Sequence, residues 1–241
     1  MLILAIDTAL DACAAAVLDT GSGRLLAQAS QAMKRGHAEA LMPLIAEVMK
    51  EAGVPFATLD RIAVTTGPGS FTGLRVGLSA ARGIALAAKK PVVGLTTLSA
   101  YAAPVVGEDE AHPIISAIDA RHDQVYFQVV GGDGSSLVEP RVAPIADALE
   151  ASRFGAPSLV GNAAQILAER WPADAPSPVK VNPQAAPDIG WVAWLGAAAD
   201  PATAPARPFY LRAPDAKPSF EAPQQPADPA TKPSADSRAG S

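Results

Sequence analysis

The chain has 241 residues, of which 49% are hydrophobic and only 5% aromatic, and its formal net charge is −5. This length suits one medium domain or two small lobes, whose core must be packed mainly from alanine and small aliphatic side chains. The acidic balance argues against a chain that grips a nucleic-acid backbone by itself, and the single cysteine excludes an internal disulfide.

Short apolar runs, turn glycines and helical periodicity divide the first half of the chain into a β-meander followed by alternating helices and strands. The predicted elements are strands at Leu2–Ile6, Ala12–Leu18 and Leu25–Ser30, a helix at His37–Ala52, a strand at Arg61–Thr66, a helix at Thr72–Lys90, a strand at Pro91–Leu95 and a helical patch at Leu98–Val105. Pro43 lies inside the first helix and is expected to loosen its first turns. Cys13 is expected to be a small buried side chain on the second strand.

The second half of the chain begins like the first. Its predicted elements are strands at Pro113–Asp119, Gln124–Val130 and Ser158–Val160, and helices at Ile145–Ser152, Ala163–Arg170 and Ile189–Ala199. Ala5–Asp7 matches Ala117–Asp119, and in both places a hairpin partner follows. Two duplicated ribonuclease-H-like lobes explain this match, but so does chance similarity between two apolar strands. Residues from Ala213 onward are rich in proline, alanine and polar side chains, which predicts a disordered tail.

The N-terminus carries no basic leader, and Asp7 interrupts its first apolar run. The longest apolar stretch, residues 71–88, contains Arg75 and Arg82 and is broken by glycines. A membrane span needs roughly 20 apolar residues without such charges. We therefore expect neither a signal peptide nor a membrane span, and we expect a cytoplasmic protein.

The stretch TTGPGSFTGLRVGLSAARGIALAA, residues 65–88, raises the possibility of a phosphate-binding loop. A dinucleotide fingerprint fails because its sixth position is Thr72 and no acidic residue occurs between Arg61 and Gly107. A P-loop fails because Gly73 is followed by leucine and arginine instead of Lys-Ser or Lys-Thr. An anion held by the backbone of Gly69–Phe71 remains possible.

The helix after this loop combines small residues with an unusual mixed face. Small residues recur at four-residue spacing at Gly73, Gly77, Ala81 and Ala85. The adjoining face carries Leu74, Leu78 and Leu86 together with Arg75 and Arg82. The small residues predict close packing against another backbone, and the mixture of leucine and arginine is typical of a protein interface with a polar rim.

Candidates for catalysis or metal binding are few. The three histidines, His37, His112 and His122, have no paired spacing, and Ser70 lies in no nucleophile-elbow motif. Asp7 and Asp119 would face a cleft between duplicated lobes. There they could position a magnesium–phosphate group, or they could merely end strands and cap turns, and the sequence leaves both readings open.

Several segments together resemble the TsaB (older name YeaZ) family, and the resemblance extends to Lys217. They are ILAIDTALDACAAAVL, GHAEALMPLI, TTGPGSFTGLRVGLSAARGIALA, SAIDARHDQVY and PFYLRAPDA. The resemblance implies an α/β fold with two ribonuclease-H-like lobes of the actin/Hsp70/sugar-kinase (ASKHA) type, in which mixed sheets are flanked by helices. Residues 1–105 would form the first lobe, with the dimerization helices, residues 106–212 a smaller second lobe, and residues 213–241 the tail.

The resemblance also implies a function. TsaB-like proteins are non-catalytic partners of TsaD, which transfers a threonylcarbamoyl group to N6 of adenosine 37 in tRNAs that read codons beginning with A. The expected partners are a TsaD-type subunit, a TsaE-type ATPase and, for the chain alone, a second copy, with tRNA contacted only indirectly and no membrane involved. The alternative is an independent hydrolase or ATPase that uses Asp7 and Asp119.

The same resemblance implies which residues bind a partner and which sites are lost. The expected interface residues are Leu41, Leu44, Ile45, Val48, Phe71, Leu74, Arg75, Leu78 and Arg82. TsaD-type subunits carry a His-x-x-x-His metal pair at the places that Thr97 and Tyr101 occupy here. TsaD-type subunits also carry a glycine-rich adenosine-binding motif late in the second lobe, and only Gly161–Asn162 remains of it here. We therefore expect no metal, no cofactor and no catalytic residue.

Overall fold

The computed structural model describes residues 1–212, and the predicted tail lies outside the described residues. These residues form two five-stranded sheets with helices packed on them. The first sheet contains β1 (Leu2–Asp7), β2 (Ala12–Asp19), β3 (Arg24–Ala32), β4 (Arg61–Gly67) and β5 (Val92–Thr96). The second contains β6 (Ile114–Asp119), β7 (Gln124–Val130), β8 (Ser136–Pro144), β9 (Ser158–Val160) and β10 (Lys180–Asn182). The helices are α1 (His37–Ala52), α2 (Phe71–Ala88), α3 (Thr97–Ala102), α4 (Ile145–Leu149), α5 (Ala164–Glu169) and α6 (Ile189–Ala198).

The two sheets have the same topology. The first has the strand order β3-β2-β1-β4-β5 and the second, read in the same sense, β8-β7-β6-β9-β10. In each sheet the first three strands are antiparallel, and the last two run parallel to the first. Each sheet is thus a meander extended by two parallel crossover strands. The predicted duplication into two ribonuclease-H-like lobes of the ASKHA type is confirmed, and Asp7 and Asp119 end equivalent strands.

Two strands of the second sheet were not predicted from the sequence. β8 carries Pro140 in its interior and ends at Pro144, and β10 has only three residues. Both lie at the edges of the sheet, where each strand pairs with a neighbouring strand on one side only. An edge strand tolerates proline and can be very short, so neither carries a clear strand pattern.

Helices cover both faces of the first sheet. Alternate residues of β1 point to opposite faces of the sheet. Leu4 and Ile6 pack in the cluster with α1 and α2, whereas Ile3 and Ala5 pack with α6. α6 was expected in the second lobe, since it follows the second set of strands in the chain. It packs instead on the first sheet, where Val192 and Ala193 are fully buried. The predicted boundaries are therefore corrected, because residues 189–198 belong structurally to the first lobe.

A small residue explains how closely α6 approaches the sheet. A Cβ atom added to Gly196 would lie 2.3 Å from the Cβ of Ala63, so a larger residue would push the helix away. The chain after α6 continues along the first lobe. There the backbone N–H of Gly94 donates to the carbonyl of Ala204 (2.9 Å), and that of Phe209 donates to Thr66 (2.8 Å).

Apolar side chains fill the space between the lobes. Leu98 and Tyr101 of α3 pack together with Leu74 from the first lobe and Ile118 and Val160 from the second. The Tyr101 hydroxyl donates to the carbonyl oxygen of Gln184 at 2.9 Å. The two lobes therefore share a continuous apolar layer where they meet.

Candidate functional site

α1 and α2 lie side by side on the first sheet, and each is fixed by its own termini. α1 begins after Gly36, a left-handed N-cap with φ 88°, and it runs through Pro43 without interruption. α2 begins after Ser70, whose hydroxyl accepts a hydrogen bond from the backbone N–H of Gly73 at 3.3 Å. The Ser70 N–H donates to the carbonyl of Ala9 at 2.7 Å, which ties the start of α2 to the end of β1.

The small-residue stripe of α2 packs within this chain. A Cβ on Gly73 would lie 2.1 Å from the carbonyl oxygen of Thr8, and a Cβ on Gly77 would lie 2.4 Å from the Thr8 hydroxyl oxygen. The Thr8 hydroxyl donates to the Gly73 carbonyl at 2.7 Å in a buried position. The predicted close approach is present, and it joins α2 to the turn that follows β1.

Six of the nine predicted interface residues lie in the core of the first lobe or between the lobes. Their relative exposures do not exceed 2%, and they are Leu41, Leu44, Ile45, Val48, Leu74 and Leu78. A helix face with apolar residues at i, i+3 and i+4 is the face that the chain itself removes from water. Their assignment to a partner surface is therefore corrected, and only Phe71, Arg75 and Arg82 of the predicted set are exposed.

The outward side of the helix pair carries a different set of apolar residues. Met42 and Phe71 are 49% and 42% exposed, and Leu86 is 82% exposed. A groove of about 580 Å³ is lined by Ala38, Leu41, Met42, Phe71, Thr72, Arg75, Val76, Ser79 and Ala80. A second groove of about 400 Å³ is lined by Met42, Phe56, Ala57, Ile84, Ala87 and Ala88. We call these two grooves, which meet at Met42, the α1–α2 face.

One end of the α1–α2 face is held in place by an aromatic stack. The rings of Phe71 and Tyr210 are stacked with centroids 5.6 Å apart, and the guanidinium carbon of Arg75 lies 3.8 Å from the Phe71 ring centroid. Arg82 donates from Nε to the carbonyl oxygen of Ala206 at 2.9 Å, which fixes the returning C-terminal segment beside α2. Both arginine side chains therefore make contacts within the chain, Arg75 with an aromatic ring and Arg82 with a backbone carbonyl.

Asp7 and Asp119 end equivalent strands but have different environments. Asp7 is fully buried, and its Oδ1 accepts hydrogen bonds from the Thr65 hydroxyl and from the N–H of Ala9, the latter at 3.0 Å. Its Oδ2 has no hydrogen-bond partner among the described residues, and burial raises the pKa of Asp7. Asp119 is exposed, and its Oδ1 accepts from the N–H of Arg121 at 2.7 Å.

The remaining candidates are the histidines and Cys13. Nε2 of His37 is 3.1 Å from the carbonyl oxygen of Leu10 in a buried site, whereas His122 is exposed. Cys13 is buried as predicted, and burial raises the pKa of its thiol to about 11. Within residues 1–212, no three His, Cys, Asp or Glu side chains come close enough together to hold a metal ion.

In and just after the loop that was considered as an anion site, two backbone N–H groups already donate hydrogen bonds within the chain. Within Gly69–Phe71, the N–H of Ser70 is bonded to Ala9, and one turn further the N–H of Gly73 is bonded to Ser70. Thr97 and Tyr101 are buried at 0% and 1% exposure. Between Met1 and Arg212, no helix combines the length and apolar character required to cross a membrane.

Sequence reasoning missed several residues of the α1–α2 face. Met42 and Val76 stand next to buried positions but outside the buried stripe of their helices. An apolar residue off that stripe is the signal that could have found them. No local signal predicts that Tyr210 stacks on Phe71, because 139 positions separate the two in the sequence.

Comparisons with known proteins agree with this architecture. Residues 25–186, more than half of the chain, match the family model described as TsaD, tRNA N6-adenosine threonylcarbamoyltransferase. A Haemophilus influenzae protein named tRNA threonylcarbamoyladenosine biosynthesis protein TsaB is 37% identical over 128 residues, which is 53% of this chain and 53% of that protein. The chain thus spans about half the length of that curated relative.

Two further comparisons cover more of the chain. An uncharacterized protein of Mycobacterium tuberculosis is 32% identical over 216 residues, which is 90% of this chain and 94% of that protein. A crystal structure of an uncharacterized Pseudomonas aeruginosa protein, described as similar to peptidase YEAZ, is 28% identical and covers 88% of this chain and 99% of its own, with a TM-score of 0.72. The chain belongs to the TsaB (YeaZ) family, which is homologous to TsaD.

Proposed function

We propose that this chain is a non-catalytic subunit that binds and activates a TsaD-type threonylcarbamoyltransferase, which modifies N6 of adenosine 37 in tRNAs reading codons that begin with A. The observation that carries the proposal is the α1–α2 face, an apolar surface on which Met42 is 49% and Phe71 42% exposed. The name of the H. influenzae relative, tRNA threonylcarbamoyladenosine biosynthesis protein TsaB, supports the pathway. The proposal includes a cytoplasmic location, where the chain would act with tRNA.

The composition of the α1–α2 face supports a protein partner. Apolar side chains from both helices line its grooves, Arg75 lines the first of them, and Arg82 is exposed on the same helix. An apolar centre with a polar rim is typical of protein interfaces, and contiguous apolar patches on a monomer often mark interaction sites.

Homology between the partners supports a pseudo-symmetric complex. The chain matches the TsaD family model, so a TsaD-type subunit is expected to carry an equivalent lobe with an equivalent pair of helices. Two such helix pairs can pack face to face about an approximate two-fold axis. The same surface would serve a homodimer when the chain is alone, and a TsaE-type ATPase would join the complex without needing this face.

The environment of Asp7 supports a non-catalytic role over the alternative of an independent hydrolase or ATPase. An acidic residue that positions magnesium–phosphate must be open to solvent or ligand, whereas Asp7 is fully buried and bonded to Thr65. Thr97 and Tyr101 occupy the places of the TsaD-type metal pair, and neither is a preferred metal ligand.

The direct test is reconstitution of tRNA threonylcarbamoylation with a TsaD-type subunit, with and without this chain. We expect modification to require the chain. Modification of equal rate and extent without it would contradict the proposal.

The interface is tested separately by Met42→Asp, which places a charge where the two grooves meet. We expect loss of co-purification with the TsaD-type subunit, because an unpaired charge in an apolar interface costs more than the contact gains. Leu137→Asp is the matched control, since Leu137 is 42% exposed on β8 of the other lobe. If Met42→Asp binds as well as the wild type while remaining folded, the α1–α2 face is not the interface.

A further inference from the structure

The turn between β6 and β7 has an unusual backbone. Arg121, His122 and Asp123 follow one another with φ values of 61°, 52° and 59°, in the left-handed region. Apart from Lys89, which follows the end of α2, they are the non-glycine residues with positive φ in residues 1–212. Left-handed backbone brings Cβ too close to the following carbonyl oxygen, so glycine is favoured there. The hairpin explains why the backbone turns in this way, but it does not explain why an arginine occupies the first left-handed position.

The turn is fixed by contacts that leave two of its side chains unused. The backbone N–H of Arg121 donates to Oδ1 of Asp119 at 2.7 Å. The carboxylate of Asp123 forms an ion pair with Arg170. The side chains of Arg121 and His122 are exposed, and neither takes part in a hydrogen bond or ion pair among residues 1–212. Packing within the chain therefore gives no reason for these two side chains.

The turn lies beside the segment that borders the α1–α2 face. Arg212 donates to the carbonyl oxygen of Ala120 at 3.1 Å, one residue before Arg121. Two residues before Arg212, the ring of Tyr210 stacks on Phe71 at one end of the α1–α2 face. Two residues of extended chain span at most about 7 Å. The turn and the α1–α2 face are therefore close enough for one partner to contact both.

This end of the molecule presents two arginines. Arg75 lines the first groove and lies over the ring of Phe71, 3.8 Å from its centroid, and Arg121 is exposed on the turn. In the described part of the chain, neither arginine forms an ion pair. A guanidinium is always charged, and its planar fork pairs with a carboxylate through two parallel hydrogen bonds. The two arginines therefore complement a partner surface that carries acidic side chains.

We propose that Arg121, with His122 as an adjacent donor, is a second contact point for the TsaD-type subunit and binds a carboxylate of that partner beside the α1–α2 face. This inference rests on the proposed function, because the partner is the one assigned to that face. The apolar grooves supply contact area, and a charged pair beside them fixes the orientation in which the two helix pairs meet. A tRNA phosphate is the other anion that an arginine binds, and the net charge of −5 favours the protein partner.

The test measures the affinity of the full chain for the TsaD-type subunit at low and high salt. Arg121→Gly removes the side chain and suits φ 61°, so this variant should be at least as stable as the wild type. We expect it to bind about tenfold more weakly, with less dependence on salt, because one charge pair is missing. Arg121→Asp should weaken binding further. Arg153→Asp, at an exposed arginine elsewhere in the same lobe, is the matched control and should bind like the wild type.

Weaker and less salt-dependent binding in the Arg121 variants alone supports the inference, and denaturant midpoints confirm that each variant is folded. Wild-type affinity in both Arg121 variants, with binding lost in Met42→Asp, would overturn the inference and leave the proposed function intact. Absence of binding by the wild-type chain would instead contradict the proposed function, and this inference with it.

Three further results would also overturn the inference. Equal losses in Arg121→Asp and Arg153→Asp would indicate a general effect of net charge. Unchanged affinity for the TsaD-type subunit, together with weaker binding of tRNA by the complex, would assign Arg121 to a phosphate. An effect confined to self-association of the chain would assign Arg121 to a contact with a second copy.

Discussion

The carboxyl group of Asp7 is fully buried at the end of β1. One oxygen accepts two hydrogen bonds, and the other, Oδ2, has no partner among the described residues. Burial favours the protonated form and outweighs the hydrogen bonds from Thr65 and Ala9 and the nearby His37, which act in the opposite direction, so the pKa of Asp7 is raised above its ordinary value of 3.8. The side chain thus joins β1 to β4 through Thr65 while its charge opposes folding.

This gives a pH-dependent prediction for Asp7→Asn. The folded state binds the Asp7 proton more tightly than the unfolded state does, so its contribution to stability is complete below pH 3.8 and is lost as the pH rises through the raised pKa. We expect the free energy of unfolding of the variant, relative to the wild type, to increase from about pH 4 upward. Denaturant unfolding of both proteins from pH 4 to pH 8 measures it. Parallel stability curves would show that Asp7 does not titrate differently in the folded state.

The sequence predicted where single residues lie on the strands better than it predicted how deeply they are buried. It placed Cys13 on a strand and Asp7 at a strand end, both correctly. It did not distinguish Asp7 from Asp119, although one is fully buried and the other exposed. The difference arises from elements packed around each residue, above all Thr65, which is distant in the sequence.

At the scale of elements, α2 contains glycines in two opposite environments, one crowded and one open. Gly73 is pressed against the backbone of Thr8, whereas a Cβ on Gly83 would meet nothing within 4 Å. Both glycines lie inside the same helix. Glycine lowers helix stability by about 0.5–1 kcal/mol relative to alanine, so only the first position has a packing reason to keep it.

Gly73→Ala and Gly83→Ala therefore form a matched pair. We expect Gly83→Ala to stabilise the protein by about 0.5–1 kcal/mol through helix propensity. Gly73→Ala should destabilise it by about 1–3 kcal/mol, because the added methyl group overlaps a backbone oxygen that cannot move freely. Denaturant midpoints of both variants and the wild type provide the measurement. Equal effects of the two changes would mean that the close approach at Thr8 does not constrain α2.

The periodicity of α1 and α2 predicted the existence and bounds of both helices closely. It could not assign their faces to core or partner, since Leu74 and Leu78 satisfy the same pattern in either role. Burial decides between the roles, and burial depends on the sheet beneath. β8 and β10 were not predicted for a related reason. Both are edge strands, which form by pairing with one neighbouring strand and need no clear strand pattern of their own.

At the scale of the whole molecule, the meeting place of the lobes is closed by side chains. A ligand entering between the lobes would have to displace the layer that contains Leu98, Tyr101 and Ile118. Opening that layer would expose apolar surface at a cost of about 25 cal/mol per Å². The internal repeat in the sequence predicted two lobes, but their mutual packing follows from contacts between residues far apart in the chain.

We therefore expect titration calorimetry with ATP and Mg²⁺ to show no saturable binding to the purified chain. The alternative enzyme would require Asp7 to be reached by the magnesium–phosphate group. Micromolar binding that disappears in Asp7→Ala would favour that alternative and count against the non-catalytic role. Asp119→Ala, which changes the equivalent exposed residue, separates a lost ligand contact at Asp7 from a general effect of removing a carboxylate.

The return of α6 to the first sheet makes the second lobe an insertion within the first. The chain enters this lobe after Ala102 and leaves it after Asn182, so two covalent connections join the lobes. Two points of attachment define an axis, and relative movement of the lobes is thereby reduced to rotation about that line. A single cut in either connection would divide the chain into two polypeptides, so the two pieces would stay together only through the packing of α6 on the first sheet and the contacts between the lobes.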